Sequence, residues 1–157
     1  MKEIKIDVPG AGDLIMGLCH GWFNADRDHS FAVFDDGKFL GGFVCCEYLG
    51  NSIAIHDGAV AKNWCSRELL WALFDYVFRQ LKCQKVYAPV PSDNYHALEM
   101  DLRGGWKLDT VLIDALAPGR HLMILSMVAT ECRWLRHRPR RSASPTVVEG
   151  LHSGREG

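Results

Sequence analysis

The sequence predicts one α/β domain built as an α+β sandwich. Three observations lead to this prediction: a length of 157 residues, a hydrophobic content of 48%, and local patterns in the order β α β β β α β α β β. One domain is expected at this length, which is enough to bury a core. Consecutive strands flanked by helices, with a helical crossover between the fourth and fifth strands, are typical of such a sandwich.

The first half of the chain contains four strand patterns and one helix pattern. Residues 3–8 alternate apolar and polar side chains, which predicts a strand. After a turn rich in glycine, Asp13 is the expected N-cap of a helix. Asp36 and Gly37 between two aromatic-rich runs predict a hairpin, and residues 24–30 read as a polar loop. The strands expected here are residues 3–8, 31–34, 39–49 and 51–60.

The second half begins with the strongest helix pattern, residues 64–82. Leucine, valine and phenylalanine side chains recur there at helical spacing and form a continuous apolar stripe. A short strand and a second helix follow, and the last two strands are separated by a turn at Pro118 and Gly119. The expected elements are strands 86–90, 108–115 and 121–128 and helix 95–102.

Composition limits the classes of function. The formal net charge of −1 gives no overall reason to expect binding to nucleic acid or to an anionic membrane. The chain begins MKEIKID, which does not resemble a signal peptide, and no uncharged apolar run reaches the roughly 18 residues of a membrane helix. We therefore expect a soluble, cytoplasmic protein.

The six cysteines are scattered and form no CxxC motif. This distribution favours free, mostly buried thiols in a reducing compartment. Metal ligation is the alternative, but neither the cysteines nor the aspartates have the spacing of a metal site, so no metal is expected.

The last 28 residues differ from the rest, which divides the chain into a domain at residues 1–129 and a tail at residues 130–157. Residues 130–136 are compatible with a short helix, and the remainder is rich in serine and glycine with few large apolar side chains, as in a flexible tail. A solvated tail and a contact with an anion or nucleic acid are both open. The basic residues concerned are five arginines between positions 133 and 141: Arg133, Arg136, Arg138, Arg140 and Arg141.

One stretch carries a recognisable motif. Asn94, Ala97 and Leu98 open a helix, and Gly105 followed by Trp106 closes it before a new strand. This spacing resembles the GNAT superfamily of acyl-CoA N-acetyltransferases, and the order of elements is similar over residues 2–127. The resemblance implies a mixed, mainly antiparallel sheet with a splayed central parallel pair, flanked by helices, and acetyl-CoA as the cofactor.

The resemblance also indicates where the cofactor would bind. In the family, a glycine-rich turn and the start of the long helix hold the pyrophosphate, because amide groups there donate to phosphate. Here Cys65, Ser66 and Glu68 stand where arginine or glutamine and two glycines are usual, which makes the chain similar to small phage-type GNAT-like proteins with an altered loop. The cofactor-binding residues that the resemblance implies are Ala59, Val60, Lys62, Ser66, Arg67 and Asn94.

Two catalytic positions follow in the same way. The family often places a general base on the fourth strand, where this chain has His56, a side chain that titrates near neutral pH. A proton donor, often tyrosine, stands seven residues after the motif asparagine, where this chain has Asp101. The alternatives are a hydrogen-bonded histidine of the sheet and a surface aspartate of the helix, since an aspartate donates to a thiolate only if burial raises its pKa strongly.

The function that the resemblance implies is transfer of an acetyl group from acetyl-CoA to a small-molecule or protein amine. A catalytically inactive GNAT-like phage protein that acts as a binding or virion assembly component is the alternative. A GNAT-like enzyme that modifies DNA bases is a further one. The sequence leaves the acceptor and the oligomeric state open.

Overall fold

The computed structural model describes residues 1–136, 138–140 and 146–147. Its strands are β1 (Lys2–Ile6), β2 (His29–Asp35), β3 (Lys38–Cys46), β4 (Ser52–Ala59), β5 (Lys85–Pro91), β6 (Lys107–Ala117), β7 (Arg120–Val128) and β8 (Thr146–Val147). Its α-helices are α1 (Ala11–Leu18), α2 (Arg67–Phe74) and α3 (Tyr95–Arg103). A π-helical segment, Asp75–Gln80, continues α2, and two 3-10 turns, Ala129–Glu131 and Arg133–Leu135, follow β7.

The strands form one mixed sheet in the order β6-β7-β5-β4-β3-β2-β1-β8. Neighbours from β6 to β1 pair antiparallel, apart from the parallel pair of β4 and β5. That parallel pairing covers three residues of each strand and ends at Ala54 and Tyr87, although β4 continues to Ala59 and β5 to Pro91. The predicted fold class, with a splayed central parallel pair, is confirmed.

Each face of the sheet carries its own hydrophobic core. Helix α1 packs on one face, where Ile15 contacts a cluster that includes Val44 and Ala54. Helices α2 and α3 cover the other face, where Phe74 belongs to a larger cluster with Ile55. Because side chains alternate along a strand, neighbouring residues of β4 point into different cores.

Two predicted helix starts are wrong. Helix α1 begins after Gly10, whose φ of 83° suits glycine, and Asp13 lies inside the first turn with no capping role. Helix α2 begins after Ser66, whose hydroxyl accepts a hydrogen bond from the Leu69 N–H, so residues 64–66 are not helical. Trp64 instead packs on Phe43, with the ring centroids 4.9 Å apart.

Gly41→Ala is expected to lower the free energy of unfolding by roughly 1–3 kcal/mol, because the position is already fully packed. A Cβ atom there would lie 2.6 Å from the Ala59 Cβ and 2.9 Å from the Trp64 Cγ. Urea denaturation measures the change. The matched control is Gly17→Ala, which meets no atom within 4 Å and replaces a helical glycine. It should raise stability by about 0.4–1 kcal/mol, and an equal loss in both variants would contradict this account.

The segment after β7 turns back across the α2/α3 face instead of leaving the domain. The Trp134 indole N–H donates to the Gly104 carbonyl at 2.9 Å, and the Arg138 guanidinium stacks over the Trp71 ring. Residues 137, 141–145 and 148–157 lie outside the described residues, so the prediction of a flexible tail and the role of Arg141 remain predictions. No helix in the described ranges has the length and apolar character needed to cross a membrane.

Candidate active site

The separation of β4 from β5 opens a cavity of about 260 Å³ on the α2/α3 face. Side chains from both separated strands reach it, namely Ile55 and Asp57 from β4 and Ala88 from β5. Helices α2 and α3 form its side walls, and the segment after β7 forms part of its far end. The remaining lining residues are Phe43, Cys65, Leu70, Phe74, Met100, Asp101, Arg103, Gly104, Trp106, Arg133 and Trp134.

Two carboxyl groups face this cavity from different elements. Asp57 follows Ile53 and Ile55 in the alternation of β4, which places it on the α2/α3 face. Asp101 lies on the side of α3 that also carries the partly buried Ala97 and Leu98, three and four residues earlier. The interpretation of Asp101 as a surface residue is wrong, because its side chain is half-buried and lines the cavity.

Burial changes the protonation of both groups. The pKa of Asp101 is raised to about 7, first by burial and then by the negative charge of Asp57. Burial also raises the pKa of Asp57. With a pKa of about 7, a substantial fraction of Asp101 carries its proton at neutral pH, and the charge of Asp57 favours that protonated form. Asp101 can therefore donate a proton under conditions in which an exposed aspartate is fully ionised.

Cys65 also faces the cavity but is chemically quiet. Although the residue as a whole is exposed, local burial of its thiol, with smaller effects of the charges on Asp57 and Asp101, raises the pKa of that thiol to about 11. The thiolate is the nucleophilic form of cysteine, and at neutral pH almost none of it forms here. Cys65 thus contributes shape rather than a nucleophile.

His56 lies on the other face of the sheet, towards α1. Burial lowers the pKa of its imidazole, against weaker opposite effects of Glu47 and Asp28. The ring is therefore neutral at pH 7 and able to accept a proton. The structure does not bring His56 and Asp101 to one face; they flank the gap between β4 and β5 from its two sides.

Several polar groups of the predicted phosphate loop already form hydrogen bonds within the protein. The amide groups of Val60 and Ala61 both donate to the Leu40 carbonyl, at 2.9 and 3.2 Å, and the Ser66 hydroxyl caps α2. Ala59 ends β4 beside the gap. The basic side chains of Lys62 and Arg67 are exposed near the start of α2, where the helix dipole also favours an anion.

Asn94 has the plain structural role that its position suggests. Its side-chain oxygen accepts a hydrogen bond from the Ala97 N–H at 3.3 Å, so it is the N-cap of α3. This cap fixes where α3 begins and hence which of its residues face the cavity. Asn94 is itself exposed at the same end of the sheet as Lys62.

No protein-family model and no curated protein matches the sequence. Among solved structures, the chain is similar to a mutant of the spermidine N-acetyltransferase SpeG from Vibrio cholerae, with 15% identity and a TM-score of 0.65 over 86% of this chain and 96% of that one. It is also similar to a nourseothricin acetyltransferase, with 14% identity and a TM-score of 0.66 over 82% of this chain and 98% of the other. A third similar structure is SpeG from Vibrio cholerae with manganese ions, with 16% identity and a TM-score of 0.64 over 82% and 93% of the two chains.

These similarities extend over nearly the whole length of the neighbours. They show that the chain has the fold of GNAT acetyltransferases, with the splayed strand pair at its centre. At this low identity they establish the fold alone, and the chemistry depends on the side chains at the gap.

Proposed function

We propose that the protein is an acyl-CoA-dependent N-acetyltransferase that acts on an amine. The observation that carries the proposal is the gap between β4 and β5, with a neutral histidine on one side and, on the other, an aspartate whose pKa of about 7 leaves it partly protonated at neutral pH. Transfer of an acyl group from a thioester to an amine needs a proton acceptor for the amine and a proton donor for the thiolate. His56 and Asp101 have the protonation states for these two roles.

The residues at the gap fit an acyl-CoA. The cavity walls beside Ile55 and Ala88 are apolar, as a thioester arm requires. Lys62 and Arg67 do not line the cavity, but both are exposed near the start of α2, where their positive charge suits phosphate groups. Acyl-CoA supplies the acyl group in activated form. The residues that would hold it are those named from the sequence: Ala59, Val60, Lys62, Ser66, Arg67 and Asn94.

His56 would act on the α1 side of the gap. An amine is mostly protonated at neutral pH and attacks a carbonyl only after it loses a proton. Because burial lowers the pKa of His56, the imidazole is available as the acceptor of that proton. Glu47 and Asp28 bring negative charge to the same face, which favours approach of a cationic amine.

Asp101 would act on the cavity side. Its proton can pass to the sulfur of the leaving thiolate, and Asp57 supports this role because its charge keeps the pKa of Asp101 high. Asp101 stands where the family usually has a tyrosine. Burial raises the pKa of this aspartate from 3.8 to about 7, which removes about half of the difference from a phenol group, whose usual pKa is about 10.

The amine is expected to be a small molecule. Two of the structural neighbours are described as spermidine N-acetyltransferases, and a polyamine would match the negative charge near His56. A lysine side chain of a protein is the alternative acceptor and requires the same chemistry.

A second candidate function is binding without transfer. Glu68 in the first turn of α2 places a negative charge near the expected phosphate site, and the side chains of Ser66 and Asn94 are used as helix caps. A protein with this fold that has lost its cofactor would serve as a binding or assembly component.

A transfer assay separates the two candidates. The full chain is incubated with acetyl-CoA and either spermidine or a lysine peptide, thiol release is followed with a thiol reagent, and the acetylated amine is identified by mass spectrometry. The proposal predicts both signals with at least one of the amines, and their loss in the double variant His56→Gln/Asp101→Asn. Binding of acetyl-CoA without product from either amine would favour the second candidate.

A further inference from the structure

The cavity extends well beyond the gap between the strands. From Asp57 it continues between α2 and α3, past Leu70 and Phe74, to Trp106 and Trp134. Cavities of about 150 Å³ lined by apolar side chains can bind a six-carbon ring such as benzene. A cavity of about 260 Å³ therefore has more room than the thioester and the single methyl group of an acetyl chain require together.

The walls of this extension are apolar and fixed. Leu70 and Phe74 are adjacent turns of α2, and Phe74 and Trp106 contact each other with ring centroids 6.3 Å apart. The Trp106 N–H donates to the Asp101 carbonyl at 3.1 Å, which ties the end of α3 to this wall. Trp134 closes the far end through its hydrogen bond to Gly104.

Building on the function proposed above, we propose that the cavity between α2 and α3 accommodates an uncharged acyl chain longer than acetyl, of about four to six carbons. The chain would extend from the gap towards Trp106 and Trp134, with the thioester beside Asp101. Each methylene buried in such a cavity tightens binding by about fourfold.

The charges around the cavity favour an uncharged chain over one that ends in a carboxylate. Neither Asp57 nor Asp101 forms an ion pair within the described ranges, and the negative charge of Asp57, which already raises the pKa of Asp101, would repel a further carboxylate. The two basic residues at the outer end are already engaged. Arg103 pairs with Glu99 at 2.6 Å, while Arg133 lies over the Trp134 ring and donates to the Arg103 carbonyl.

Calorimetric titration of the full chain with free CoA and with acetyl-, butyryl-, hexanoyl- and succinyl-CoA tests the proposal directly. Butyryl-CoA should bind roughly tenfold or more tightly than acetyl-CoA, since it buries two further methylenes. Succinyl-CoA has the same number of acyl carbons as butyryl-CoA but ends in a carboxylate, and should bind at least tenfold more weakly than butyryl-CoA.

A pair of tryptophan variants on α3 tests whether the acyl chain binds in this cavity. Met100 lines the cavity and is 37% exposed, so Met100→Trp should narrow the cavity without replacing a core residue. The ratio of butyryl to acetyl affinity should then fall towards one. Leu102→Trp is the matched control, because Leu102 lies on the same helix, is 53% exposed and does not line the cavity. This variant should keep the ratio of the wild type.

The outcomes that overturn the inference differ from those that overturn the proposed function. If CoA and acetyl-CoA bind but butyryl- and hexanoyl-CoA bind no more tightly, or succinyl-CoA binds best, the inference is wrong and the proposed function stands. If none of the five ligands binds, the proposed function fails and the inference fails with it. The ligand series uses the wild-type chain, so it decides the matter even if a variant does not fold.

Discussion

Asp101→Asn is expected to lower kcat by about 10²–10⁴-fold, the usual contribution of a general acid. The variant keeps the shape of the side chain but removes the acidic proton, which Asp101 carries in part at neutral pH because its pKa is raised to about 7. Steady-state kinetics with a fixed amine measures the effect. Asp93→Asn, an exposed aspartate before α3 that pairs with Arg120, is the matched control and should retain the wild-type rate. Loss of less than about threefold in Asp101→Asn would remove Asp101 from the mechanism.

The pH profile provides an independent readout of the same residue. The proposed mechanism requires His56 in its neutral form and the pair of Asp57 and Asp101 with a proton on Asp101. The wild-type profile should therefore be bell-shaped, with an acid limb below pH 6.5 from His56 and an alkaline limb near pH 7 from the pair. Asp101→Asn should lose the alkaline limb. An unchanged alkaline limb in this variant would assign that limb to another group.

Stability should change in the opposite direction to activity. The pKa of Asp101 is higher in the folded chain than its usual value of 3.8, so the folded state binds more protons than the unfolded state between about pH 4 and 7. The stabilisation of the protonated form is present at low pH and is lost as pH rises through about 7. Asp101→Asn should thus unfold at a higher urea concentration than the wild type at pH 8, with a smaller difference at pH 4. A functional group that costs stability is expected at an active site.

His56→Gln is the second variant with a large expected effect. It should lower kcat/KM for the amine by about 10²–10⁴-fold and leave the affinity for acetyl-CoA nearly unchanged, because the imidazole lies on the α1 side of the gap. His96→Gln, an exposed histidine of α3, is the matched control.

Two results would return His56 to a purely structural role. One is an unaltered rate in His56→Gln. The other is an equal loss of rate and of thermal stability, which would indicate that the side chain supports the sheet and α1 instead of the reaction. Rescue of the rate by added imidazole would support the catalytic role, since a free base can replace the missing one.

The order of strands and helices could be predicted because it depends on the periodicity of apolar side chains. The stripe of Leu69, Leu73 and Val77 is fully buried as expected. The start of α2 could not be placed from that stripe. Trp64 continues the apolar pattern, but its ring packs on Phe43 over Gly41, a contact between residues more than twenty positions apart.

The sequence predicted two residues of the candidate site but not the chemical properties that the fold gives them. The motif spacing pointed to Asp101 and His56, which the structure places on opposite sides of the gap between β4 and β5. The raised pKa of Asp101 could not be predicted, because it depends on burial by α2 and by the segment after β7. That burial, together with the nearby charge of Asp57, raises the pKa of Asp101 to about 7, which is the basis for proposing it as the proton donor.

Calorimetric titration of the full chain with acetyl-CoA at pH 6.5 tests the central claim most directly. We expect saturable binding at one site per chain, competed by free CoA and weakened in Lys62→Ala and Arg67→Ala. Absence of any heat of binding, together with no change in the melting temperature at millimolar acetyl-CoA, would contradict the account and leave a GNAT fold without its cofactor.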